Sequence, residues 1–173
     1  MRITPALACL TLALAMALPA AAQDFEFPAR KPGQWSIDID TGTGQTIAMQ
    51  VCLDEATDKQ LMSAGLSMSD DMCSDVSMQN QGSDIVIDAT CTMGTMKTSS
   101  HSVLSGDFQS AYTVTVNSTI EGAPAGMPAE STITQKATWL GECTDGMAPG
   151  DMLMPGGMKM NVHEMMQTMG GGG

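Results

Sequence analysis

Trp35-Ser36-Ile37-Asp38-Ile39-Asp40, then Thr41-Gly42-Thr43-Gly44, then Ile47-Ala48-Met49-Gln50-Val51-Cys52 form two stretches of strict alternation joined by a glycine-bearing turn. Side chains of a strand point to opposite faces in turn, so Trp35, Ile37 and Ile39 share one side while Ser36, Asp38 and Asp40 share the other. Ile47, Met49 and Val51 repeat the pattern. This is a β-hairpin with one apolar and one wet face, and it sets the expectation for the rest of the chain.

The same period recurs downstream. Val76 to Asn80 reads as a strand that turns at Gln81-Gly82. Ile85, Ile87, Ala89 and Cys91 then share a face. Lys97 to Leu104 follows, and a turn at Ser105-Gly106-Asp107 leads into the longest strand. There Phe108, Ser110, Tyr112, Val114, Val116 and Ile120 lie opposite Thr113, Thr115, Asn117 and Thr119. Beyond the Pro/Gly loop from Glu121 to Pro128, Ile133, Gln135, Ala137 and Trp139 form a last inward face. Some seven strands in sequential hairpins imply an all-β fold, an antiparallel meander built as a curved sheet, a sandwich or a partly closed barrel. One or two short helices accompany it. Asp54 is placed to cap a helix from about Glu55 to Ser63 that Gly65 would stop, and Ser67 to Asp75 reads as an acidic loop carrying Cys73. Trp35 and Trp139 read as core.

The N-terminus sets the compartment. Arg2, the apolar run Leu7 to Leu18 and the small residues Pro19-Ala20-Ala21-Ala22 have the layout of a cleaved export signal, giving a signal peptide at 1–22. The run is shorter than the ~20 apolar residues that span a bilayer. No second apolar run follows, so the mature chain is expected to be soluble, with no transmembrane segment. A disulfide-stapled β domain at 23–145 and a Met/Gly-rich tail at 146–173 complete the expected layout. With a net charge of −12 and only 7 Lys and Arg against 19 Asp and Glu, the chain repels phosphate backbones, which excludes nucleic acid as a partner. An unknown small ligand or an envelope protein is the partner class left.

Cys9 leaves with the signal, and Cys52, Cys73, Cys91 and Cys143 remain. An even count in an exported chain favours disulfides. Four cysteines allow three pairings; the expected one joins Cys52 to Cys73 and Cys91 to Cys143, each bridge worth roughly 3–4 kcal/mol by loop closure. Zinc-ligand spacing is absent.

Lys31-Pro32-Gly33-Gln34-Trp35 after an export signal, Val51-Cys52-Leu53-Asp54-Glu55, the later single cysteines and Gly150-Asp151-Met152 together resemble the proteobacterial domain of unknown function 3617. The resemblance covers nearly the whole mature chain. It implies a secreted or periplasmic Gram-negative protein and brings no catalytic residues with it.

Catalytic patterns are thin, and no catalytic residue is assigned. His101 stands among Ser99, Ser100 and Ser102, but neighbouring serines on a strand point away from it and no Gly-x-Ser-x-Gly turn is present. Asp38-Ile39-Asp40-Thr41-Gly42 lacks the later ligands of a calcium loop. Methionine is the unusual component. Of 18 in the chain, eight lie beyond Cys143. Thioethers are soft ligands that suit Cu(I), so Met152, Met154, Met158, Met160, His163, Met165 and Met166 form a candidate metal set. Against this, Asn161 and Glu164 can cap a terminal helix on which Val162, Met165, Met166 and Met169 make an apolar stripe, with methionine as adaptable filler. The leading expectation is a periplasmic, non-enzymatic binding or envelope-accessory domain with no cofactor. The alternative is Cu(I) binding through the tail, and a hydrolase around His101 ranks last.

Overall fold

The computed structural model describes residues 25–124, 126–144 and 146–170. The expected signal peptide at 1–22 and the last three glycines lie outside them. β1 (Gly33–Asp40) and β2 (Thr46–Leu53) form the opening hairpin, with Trp35 opposite Val51 and Ile37 opposite Met49. α1 (Glu55–Met72) follows. Then β3 (Cys73–Gln81), β4 (Asp84–Met93), β5 (Met96–Gly106), β6 (Ala111–Glu121) and β7 (Glu130–Gly141) run as a meander. β8 (Asp151–Leu153), β9 (Lys159–Asn161) and α2 (Val162–Gly170) end the described chain.

All nine strands belong to one antiparallel sheet, ordered β3-β4-β5-β6-β7-β1-β2-β8-β9. Its two ends do not pair with each other, so of the three expected architectures the structure is the open sheet rather than a sandwich or barrel. β7 returns to β1, setting Trp139 opposite Trp35 and Ala137 opposite Ile37. β8 extends β2 through Val51 and Met152, so the tail beyond residue 145 is built into the sheet.

Register fixes the faces. Met78, Ile87, Ser102, Val116 and Ile133 form one cross-strand row, and Asn80, Ile85, Leu104, Val114, Gln135 and Ile39 form another. The next rows carry Tyr112, Ala137, Ile37 and Met49, then Trp139, Trp35, Val51 and Met152. These rows make the inner face. Its buried centre is Trp35, Ile37, Val51, Leu53, Ile85, Phe108, Tyr112 and Ala137. The outer face carries Asp88, His101, Asn117 and Thr132 in one row, and Thr90, Ser99, Thr119 and Glu130 in the next.

α1 departs from β2, near one end of the sheet, and delivers the chain to β3 at the other. On a flat sheet those ends would be about 50 Å apart, given six strand spacings of about 4.8 Å and some twelve residues of strand at about 3.3 Å. An 18-residue helix is about 27 Å long. The sheet must therefore coil around α1, which lies against its inner face.

The helix is twice the expected length. Gly65 does not stop it, and Ser67 to Met72 is helix rather than acidic loop. Helix propensity at Gly65 is poor, but Leu61, Met62 and Leu66 fall on one face turned to the sheet, with Leu61 packed against the core, and this amphipathic face carries the helix through the glycine. The N-cap is as expected: Thr57 N–H donates to Asp54 Oδ1 at 2.7 Å. Phe108 also departs from its expected place in a strand. It sits in the turn before β6 with φ of +56° and still buries its ring, stacked on Tyr112.

The disulfides differ from the expected pairing. Cys52 bonds Cys143, and Cys73 bonds Cys91. The cause is register: β3 and β4 place Cys73 directly opposite Cys91, while β1, between β2 and β7, brings the end of β7 to Cys52.

Candidate functional site

The segments with the most distinctive sequence turn out to be structural. In Lys31-Pro32-Gly33-Gln34-Trp35, the Lys31 carbonyl accepts the Trp35 indole N–H at 2.8 Å, and the Pro32 carbonyl accepts that of Trp139 at 3.1 Å. The Lys31 ammonium lies 3.4 Å from the centre of the Trp139 ring, a cation–π contact. Gly33 has φ of +133°, and a Cβ there would collide with the Gly141 carbonyl and the Trp139 indole. Gln34 is buried with both ends used: its Nε2 donates to Gln50, and its Oε1 accepts from the Thr144 backbone N–H and hydroxyl. The motif is a knot joining β1, β2 and β7. Val51-Cys52-Leu53-Asp54-Glu55 likewise supplies core, disulfide, core, helix cap and the Lys59 ion pair.

A buried ion pair secures α1. Arg30 Nε donates to Asp58 Oδ1 at 2.5 Å, its backbone N–H donates to Oδ2 at 3.0 Å, and its Nη1 reaches the Tyr112 hydroxyl at 3.3 Å. Segment, helix and sheet are thereby clamped at one end of α1.

Beyond that clamp the helix and sheet part. A groove of about 330 Å3 opens between them. Leu61, Met62, Gly65, Leu66 and Ser69 of α1 face Val76, Met78, Ile87, Ala89, Ser102, Leu104 and Val114 of the sheet, and Phe27 also lines it. Among the described residues the wall carries no titratable group, and its polar side chains are the hydroxyls of Ser69 and Ser102. A Cβ built on Gly65 meets nothing within 4 Å, so the glycine leaves open space where any other residue would begin to fill it. The groove falls at the small end of the roughly 300–1,000 Å3 typical of ligand clefts. The apolar inner face also runs on past the helix, leaving Ile47 40% and Ile133 38% exposed.

The outer face holds a pair that sequence reading missed. His101 Nδ1 lies 2.7 Å from Asp88 Oδ1 on the neighbouring strand, and Asn117 Oδ1 accepts from the Thr132 hydroxyl in the same row. Only register brings residues 13 apart together here. Both partners of the His101 pair are about half exposed, in a shallow polar hollow of about 530 Å3 on the outer face that Asn117 and Thr132 also line.

The seven tail residues proposed as metal ligands separate into two groups. Met152 lies opposite Met160, and Met154 N–H donates to the Met158 carbonyl at 2.8 Å. Opposed and alternate residues share a face, so all four thioethers stand on one side of the β8–β9 hairpin. His163, Met165 and Met166 lie on α2. His163 Nε2 is 3.3 Å from the Thr57 hydroxyl, and its backbone N–H is capped by Asn161. Among the described residues, no three His, Cys, Asp or Glu side chains converge as a metal site. In the Asp38–Gly42 segment, Asp40 Oδ1 accepts the Gly42 N–H at 2.8 Å, closing a turn.

Two disulfides place folding in an oxidising, non-cytosolic compartment, and no described helix is long and apolar enough to cross a membrane. Comparison with known proteins finds one family, described as a protein of unknown function (DUF3617), whose model matches residues 30–143. No curated protein and no solved structure matches.

Proposed function

From the premise that this chain belongs to the DUF3617 family, we propose that it is a periplasmic, non-enzymatic binding domain that holds a small apolar molecule between α1 and the inner face of its sheet. The observation that carries the reading is the groove itself, walled by aliphatic and thioether side chains, with a glycine in mid-helix facing it. Gly in a helix interior costs about 1 kcal/mol relative to Ala. Here it leaves room where packing alone would favour a larger residue. The aliphatic and thioether lining suits binding of an apolar molecule. The export signal and the disulfides support a periplasmic site of action.

The test is a titration with N-phenyl-1-naphthylamine, a neutral apolar fluorophore that brightens on leaving water. The wild-type mature protein should bind it saturably, and Gly65→Leu, which sends a side chain into the groove, should weaken binding at least tenfold with an unchanged circular dichroism spectrum. Equal binding by the two proteins, or none by wild type, would overturn the proposal.

A further inference from the structure

We propose that the β8–β9 hairpin is a Cu(I) site in which Met152, Met154, Met158 and Met160 supply the thioether ligands. The register puts these four sulfur side chains on one face of a two-stranded ribbon: Met152 opposite Met160, Met154 bonded to Met158 through the backbone. Directly opposed residues have Cβ atoms about 5 Å apart. Methionine's three side-chain torsions then allow thioethers from both strands to converge on one ion. The turn that sets this spacing is specific, because Gly156 and Gly157 both have positive φ, near +85°.

The hard groups of the hairpin are kept away from that face. Asp151, Lys159 and Asn161 alternate with the methionines and engage one another: Asp151 Oδ1 accepts from Asn161 at 2.8 Å, and Oδ2 meets Lys159 at 2.6 Å. Among the described hairpin side chains, those on the methionine side are thioethers, soft donors that favour Cu(I) over zinc, calcium or magnesium. All four described cysteines are in disulfides, so no thiolate among the described residues competes for the ion. Access and shelter are both present: Met158 is 60% exposed, while Met152 packs against the core. The family match covers residues 30–143 and does not extend to the hairpin.

The experiment is competition for Cu(I) against bicinchoninate, under ascorbate, using the full mature protein. Wild type should take one Cu(I) per chain. The variant with Met152, Met154, Met158 and Met160 all changed to Leu keeps apolar volume and loses sulfur, and it should bind at least 100-fold more weakly. Met62→Leu/Met78→Leu, in the groove, should bind as wild type. The circular dichroism spectrum and urea midpoint of the four-leucine variant report its fold independently of any groove ligand, which keeps the two proposals separate. Failure of wild type to compete, or undiminished Cu(I) binding in the folded four-leucine variant, would overturn the site and leave the methionines as packing residues.

Discussion

Removing each disulfide in turn should give unequal losses, and the structure fixes their order. Cys52–Cys143 closes a sequence separation of 91 and Cys73–Cys91 one of 18. Loop-closure entropy puts these at about 4.5 and about 3 kcal/mol. Burial acts in the same direction, since Cys52 has 0% exposure at the core while Cys73 and Cys91 are half-buried at the end of the sheet. Cys52→Ala/Cys143→Ala should therefore cost at least 1.5 kcal/mol more, roughly, than Cys73→Ala/Cys91→Ala. Trp35, 1% exposed, provides the fluorescence signal for urea unfolding. With a slope of about 2 kcal/mol per molar urea, the two midpoints should differ by about 0.75 M. Equal midpoints, or the opposite order, would refute the argument, as would a peptide map linking Cys52 to Cys73.

Two further outcomes are expected. Asp58→Ala leaves the Arg30 guanidinium buried without its carboxylate, at a cost of about 3 kcal/mol, and calorimetry should show the melting temperature falling by roughly 6–12 °C; a fall below 3 °C would mean that water already screens the pair. Hydrogen bonds from Lys159, Asn161 and the Ala148 backbone lower the Asp151 carboxyl from 3.8 to about 2. Since the folded value is the lower one, the stabilisation is complete above about pH 4 and disappears as pH falls through about 2. It amounts to roughly 2 kcal/mol, so Asp151→Asn should flatten the acid limb of urea stability between pH 4 and 2.

Strands and faces could be read from sequence because strand periodicity is local: Trp35-Ile37-Ile39 and Ile85-Ile87-Ala89-Cys91 alternate as they fold. What sequence withheld was non-local. The return of β7 to β1 is a contact across some hundred residues, and the cysteine pairing depends on it. α1 was misjudged because Gly65 and the acidic run to Asp71 carry breaker and loop composition, while the force holding them helical comes from the sheet beneath. The groove was legible only as the expectation of an unknown small ligand; its walls needed the helix at full length. For the tail methionines, their concentration was plain in the sequence, but the shared face of four and the departure of His163 to Thr57 required the hairpin register.

The pairing of Val51 with Met152 has a bearing on solubility. Without β8 and β9, β2 would be the rim of the sheet, with backbone donors and acceptors free to recruit a strand from another molecule. The hairpin covers Gln50 and Val51 of that rim, and its own outer strand is only three residues long and begins with a lysine, a combination that discourages further growth there. The tail thus shields the Cys52 end of β2 from strand addition and leaves β3, at the far rim, as the sheet's long uncovered edge.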